Sequence, residues 1–301
     1  MSRPPTFVPP SCAAARTLRT TRGDFAVLDA VPADGVRRRG AVLLLPGFTG
    51  SKEDFIALLE PLTAAGYRAV TVDGRGQYET PGPDDVAAYA QEELARDVLA
   101  QAAALSEDER AHEGSPTRLH LLGHSLGGQI ARAAVLLDPR PFATLTLMSS
   151  GPAAIAPVQQ TRAKMLADAL ATLSMDEVWM AMRAMEPPPP QEAETGVEDG
   201  QDTDDSEALR ARWLRHSPAQ LIATGRQLSA EPDRVAELAA LPLPKHVISG
   251  ERDDTWPVPL LDDMARRLDA HRTVIHGAEH SPNTDRPAET AAALVCFWDE
   301  N

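Results

Sequence analysis

Short apolar runs that alternate with stretches of helical spacing constrain this chain more than any other feature of its sequence. Ala41-Val42-Leu43-Leu44-Leu45 contains no polar residue and stops at Pro46-Gly47. A strand with one wet face alternates polar and apolar residues. An unbroken run fits a strand covered on both faces, as in a parallel sheet. Helical spacing follows over 53–65, and Gly66 is placed to end it. The pattern then repeats, with strands expected at 68–72, 118–122 and 143–147 and helices at 86–105 and 126–137. It returns late in the chain with strands at 245–249 and 272–276 and a closing helix over 287–298. Two short strands, 16–21 and 25–31, precede it around the turn Arg22-Gly23-Asp24. The pattern predicts an α/β fold with a mostly parallel, doubly wound sheet.

The rhythm breaks after Gly151. Residues 152–237 show helical spacing without strands. One helix is expected over 159–185, with a stripe of Met165, Met175, Trp179, Met180, Met182 and Met185. Such a stripe by default buries an apolar face, and it could also line an apolar pocket. Residues 186–205 hold four consecutive prolines and many acids with no basic residue, a composition that predicts a mobile loop. Helical spacing resumes over 208–223, with Ser217-Pro218 suited to start a new helix. The organisation expected is a core of 16–151 and 238–301, a helical cap inserted at 152–237, and a loose tail over 1–15.

With 301 residues, 43% of them hydrophobic, the chain can bury a sizeable core. Its net charge of −15 argues against nucleic acid and against anionic membrane surfaces as partners. Cys12 and Cys296 read as two unpaired thiols. The first residues lack the apolar segment of a signal peptide, and no stretch is long enough to span a bilayer, so a cytoplasmic protein is expected.

Gly123-His124-Ser125-Leu126-Gly127 lies where a strand gives way to a helix. In that context a Gly-x-Ser-x-Gly turn lifts the serine hydroxyl above the sheet, over a helix N-terminus. The alternative is a tight structural turn with an incidental serine. A nucleophilic serine needs a base and an orienting acid, and α/β sheets gather such groups at the carboxyl ends of their strands. Past strand 245–249 stands Gly250-Glu251-Arg252-Asp253-Asp254-Thr255-Trp256-Pro257, and past strand 272–276 stands Gly277-Ala278-Glu279-His280. The order Ser, Asp, His is therefore available. Asp253 is preferred over Asp254 from its spacing to Gly250 and Pro257. His276, four residues before His280, reads as a structural strand-end residue rather than half of a metal pair.

These motifs resemble those of the α/β-hydrolase superfamily, in its serine-nucleophile members with a helical cap, and the resemblance covers residues 41–298. It implies Ser125, Asp253 and His280 as the catalytic residues. It places an oxyanion hole at the backbone N–H groups of Phe48 and Leu126, since Pro46-Gly47-Phe48-Thr49-Gly50 matches the family's His-Gly-x-x-Gly loop with Pro in place of His. Asp73-Gly74-Arg75-Gly76 resembles a supporting turn of that family. Phe48, His124, Trp179 and Trp256 are the expected substrate-binding residues. The activity implied is cleavage of a carboxylic ester or thioester; thioesterases, lactonases, acyltransferases and perhydrolases share the same triad. A serine here disfavours the chemistry of members that use an Asp nucleophile. A small-molecule substrate is expected, with no metal or other cofactor, and a homodimer is left open. The second reading is a hydrolase-like protein that captures a small apolar ligand with little turnover.

Overall fold

The computed structural model describes residues 3–113, 118–185 and 200–301, with the side chains of 111–113 and 200–205 left aside. Strands β1 (Ala13–Thr20) and β2 (Gly23–Ala30) form an antiparallel ribbon. Six parallel strands follow: β3 (Gly40–Leu45), β4 (Tyr67–Val72), β5 (Leu119–His124), β6 (Thr144–Met148), β7 (Lys245–Gly250) and β8 (His271–Ile275). Together they make one sheet of order β1-β2-β4-β3-β5-β6-β7-β8.

The apolar run in β3 is explained by its two-sided burial. Ala41, Leu43 and Leu45 enter the core on one face, and Val42 and Leu44 enter the core on the other. The first face is covered by α2 (Gln91–Glu113), α3 (Leu126–Leu137), α8 (Val235–Ala239) and α9 (Val258–Leu268). The second is covered by α1 (Ile56–Ala64) and, after the short α10 (Pro282–Asp285), by α11 (Pro287–Asp299). Each fully buried aliphatic side chain contributes roughly 1.5–3 kcal/mol, so this central strand anchors the sheet.

Between β6 and β7 the chain forms α4 (Pro157–Leu170), α5 (Met175–Met185), α6 (Gly200–Arg215) and α7 (Pro218–Ala230). They enclose a small core of their own around Leu170, Val178, Trp179, Leu209, Trp213 and Leu221. The insertion meets the sheet at its carboxyl edge. Ser217 N–H donates to the Gly76 carbonyl at 2.8 Å, past the end of β4, and Ala156 N–H donates to the Thr255 carbonyl at 2.9 Å, past the end of β7.

Several expectations are corrected. The tail expected over 1–15 ends at β1, which already begins at Ala13. This edge strand is paired through its backbone and mostly exposed, so it carries no apolar signature. The helix expected over 53–65 opens as a 3-10 turn at Lys52–Phe55, and the helix expected over 86–105 is a 3-10 turn at Val86–Tyr89 followed by α2. The single helix expected over 159–185 is two, broken at 171–174. Ser174 and Glu177 close a capping box there, with Glu177 accepting the Ser174 N–H at 2.8 Å and Ser174 Oγ accepting the Glu177 N–H at 3.3 Å. The methionine stripe does not share one buried face: Met165, Met180 and Met185 are exposed, whereas Trp179 is buried. Of the stretch expected as a mobile loop, 186–199 lies outside the described residues and 200–205 is the start of α6. Helix α8 packs on the core through Val235 and Leu238, so the insertion rejoins the core before residue 237. Cys12 and Cys296 are free thiols. No described helix is long and apolar enough to cross a membrane.

Candidate active site

The turn from β5 into α3 places Ser125 at φ 54°, ψ −117°, a left-handed conformation that L residues avoid. Its N–H is held by the Met148 carbonyl at 2.9 Å. The turn can close only with glycine on either side. A Cβ at Gly123 would lie 2.2 Å from the Gly127 carbonyl oxygen, and one at Gly127 would lie 2.3 Å from the Leu45 carbonyl oxygen. Leu126 is the first residue of α3, a position whose N–H has no partner within the helix. The loop after β3 passes beside the serine, close enough that a Cβ on Gly47 would stand 3.2 Å from Ser125 Cβ.

His280, just beyond β8, bridges two groups. The Ser125 hydroxyl donates to its Nε2 at 3.1 Å, and its Nδ1–H donates to the Asp253 carboxylate, both of whose oxygens stand at 3.0 Å. Asp253 is aimed by its own loop: its Oδ1 accepts the N–H groups of Thr255 at 2.8 Å and Trp256 at 3.1 Å. Its side chain is fully buried, whereas that of His280 keeps 27% exposure. Asp254 turns outward, where Gln159 Nε2 donates to it at 2.6 Å. Ser125 comes from β5, Asp253 from the loop after β7 and His280 from the loop after β8, so the parallel sheet delivers all three to one edge.

The expected substrate-binding residues do not share one fate. Phe48 is half-buried and touches both the main core and the core of the insertion. The others are buried. Trp179 packs inside the insertion, and Trp256 donates its Nε1–H to the Ala153 carbonyl at 2.9 Å while its ring stands 6.4 Å from that of His280. His124 lies behind the site rather than in a pocket. Its Nε2–H donates to the His280 carbonyl at 2.8 Å, which leaves Nδ1 as a bare lone pair without a partner. Burial, helped by neighbouring His280, pushes its pKa down to about 4.

The flanking residues show support of a kind that no local motif announces. Asp73 accepts the Lys52 N–H at 2.7 Å and the Lys52 ammonium at 2.9 Å, and Arg75 pairs with Asp97 at 2.6 Å. Asn283 donates to the Asp54 carbonyl at 2.6 Å, tying the loop that carries His280 to the loop that carries Phe48. Arg212 and His216 reach the latter loop from the insertion. His276, expected at a structural strand end, is exposed and faces Glu251 at 3.3 Å. No group of three His, Cys, Asp or Glu side chains that could hold a metal ion occurs among the described residues.

Residues 42–293 match the model of the alpha/beta hydrolase family. The chain belongs to that family. This α/β-hydrolase is 31% identical over 250 residues to a pimeloyl-(acyl-carrier protein) methyl ester esterase of Aeromonas hydrophila, covering 79% of the chain and 87% of the relative. It is 35% identical over 119 residues to a protein of Variovorax paradoxus named as a carbamate hydrolase, a match that spans only 40% of either chain. Among solved structures, an esterase of Thermogutta terrifontis shares the α/β-hydrolase fold at a TM-score of 0.69 and 22% identity, covering 96% of this chain and 99% of that one. The chain is a hydrolase.

Proposed function

We propose that this α/β-hydrolase is a serine hydrolase that cleaves a carboxylic ester or thioester of a small to medium apolar substrate through an acyl-enzyme on Ser125. The observation that carries the reading is His280, hydrogen-bonded to a serine at a strained strand-to-helix turn on one side and to a buried carboxylate on the other. A carboxylate can only accept, so Nδ1 bears the proton and Nε2 is the basic nitrogen that faces Ser125. His280 takes the hydroxyl proton as Oγ attacks the carbonyl carbon. Asp253 fixes the tautomer and stabilises the imidazolium that forms. The N–H groups of Phe48 and Leu126 stabilise the oxyanion. The imidazolium returns its proton to the leaving alcohol or thiol as the acyl-enzyme forms. Water, activated by the same nitrogen, then releases the acid and restores Ser125.

The ester-cleaving relatives support this class of substrate. Helices α4–α7 act as a cap: they rest on the loops at the carboxyl edge of the sheet, and Ser125 itself is only 6% exposed. Keeping water from the reacting carbonyl strengthens each charge interaction in the site. A fluorophosphonate probe is expected to add once, on the peptide that carries Ser125, and Ser125→Ala should abolish both labelling and ester turnover. Labelling on another serine, with turnover intact in Ser125→Ala, would sink the assignment.

A further inference from the structure

We infer that Arg212 and His216 of the cap are positioning residues for the oxyanion loop, which they hold in its strained shape from the side opposite the core. The inference rests on the reading of Phe48 N–H as an oxyanion donor. The loop folds as a tight turn in which the Gly50 N–H donates to the Gly47 carbonyl at 3.1 Å. Its third residue, Thr49, has φ 59°. That is the place where a turn of this kind calls for glycine, and a β-branched side chain there is strained. Strain of this sort persists only where the surroundings over-determine the backbone.

The surroundings do so from two directions. On the core side, Gln77 Nε2 donates to the Gly47 carbonyl at 3.0 Å. On the cap side, His216 Nε2 stands 3.1 Å from the Gly50 carbonyl. Four residues earlier, in the last turn of α6, Arg212 Nη1 donates to Asp54 Oδ1 at 2.9 Å and to Ser51 Oγ at 3.3 Å. Phe48 lies between these anchor points. Arg212 and Asp54 are completely buried, and a buried ion pair is a poor source of stability relative to apolar packing of the same volume. Fixing a position is the use that remains for it.

His216 faces two acceptors, the Gly50 carbonyl and, at Nδ1, the Arg212 carbonyl at 3.0 Å. The charged groups around it are Arg212 in the last turn of α6 and Asp54 in the 3-10 turn after the loop. Burial pushes its pKa down to about 4, so near neutral pH the ring is uncharged and carries one N–H. The inference puts that proton on Nε2, donating to Gly50. Loosening this contact lets the turn relax and moves the Phe48 N–H away from the developing oxyanion. Such a displacement is felt in the transition state and not in substrate binding.

The test is ester kinetics of His216→Phe and His216→Gln beside the native enzyme and Ser125→Ala. His216→Phe should lower kcat roughly 10- to 100-fold with KM within about twofold. His216→Gln, which keeps an amide donor, should recover most of that loss. If His216→Phe does not fold, Arg212→Lys replaces it, since the shorter side chain sets its nitrogen back from Asp54 and Ser51, both of which Arg212 reaches through Nη1; its kcat should fall with KM unchanged. An unchanged kcat in the folded variants, a parallel shift of kcat and KM, or a His216→Gln no better than His216→Phe would each overturn the inference. Turnover surviving in Ser125→Ala would instead refute the nucleophile, so the two failures are told apart.

Discussion

Two residues in left-handed backbone, Ser125 at φ 54° and Thr49 at φ 59°, belong to the proposed site, one as the proposed nucleophile and the other beside a proposed oxyanion donor. Ser125 is held by its N–H bond to the Met148 carbonyl, and Thr49 by the bonds that Gly47 and Gly50 make on either side of it. The acid is the next most constrained group. Replacing Asp253 by Asn should cost on the order of 10⁴-fold in kcat, because an amide in that place can hold the wrong imidazole tautomer. Asp254→Asn should be mild, since among the described residues the side chain of Asp254 bonds to Gln159 and Thr255 at the surface. Steady-state kinetics of the pair decides this, and a crippled Asp254→Asn beside a mild Asp253→Asn would reverse the roles. At this scale the sequence was legible wherever a residue sits at a fixed offset from a strand end, as Ser125, Asp253 and His280 do. The contact of His124 was not legible, because it is to a carbonyl 156 positions away. Arg212 and His216 were missed for the same reason.

Helix α3 is joined to the insertion by a buried ion pair, Arg132 with Glu231 at 2.6 Å. Arg132 also donates to the carbonyls of Gly151 at 3.2 Å and Pro152 at 2.8 Å. One guanidinium thus grips the chain where it leaves the core and where α7 ends. Burial pulls the Arg132 pKa down and Glu231 opposes that pull, so the cation depends on its partner. Glu231→Gln keeps the volume and removes the charge. It should destabilise the fold by about 3–5 kcal/mol, read as a lower urea midpoint, because an unpaired cation is left in the interior. A midpoint within error of the native protein would show the pair dispensable. The buried strands were legible because two-sided burial writes itself as an unbroken apolar run. The exposed β1 was not, since its pairing runs through the backbone. The break before α5 was written in Ser174-x-x-Glu177, but the stripe from Met165 to Met185 masked it.

Among the described residues, four buried histidines make folding sensitive to acid. Burial pushes His120, His124 and His216 down to about 4 and His246 to about 3, against an ordinary value of 6.5. Between those values the unfolded chain binds protons that the folded chain refuses. Stability from this source is fully present above pH 6.5 and is lost as the pH falls toward 4, by on the order of 1–2 kcal/mol per histidine at pH 5. The urea midpoint should therefore drop markedly between pH 7 and pH 5, and an equal midpoint at both would show that these rings are not hidden from protons. The overall fold was legible from periodicity alone. The substrate was not, because pocket shape depends on how α4–α7 settle over the sheet, and Trp179 and the exposed methionines show that their spacing does not decide which side faces in. The hydrogen bond from Asn283 to Asp54 has a consequence in time. A chain leaving the ribosome carries Ser125 and the Phe48 loop long before it carries His280 and Asn283. Until the segment ahead of α11 has emerged, the nascent polypeptide has, on the proposed mechanism, a nucleophile with no base and an oxyanion loop with one brace missing. On the proposed mechanism a premature stop before residue 280 would likewise yield an inert product, so hydrolysis waits for the segment that carries His280.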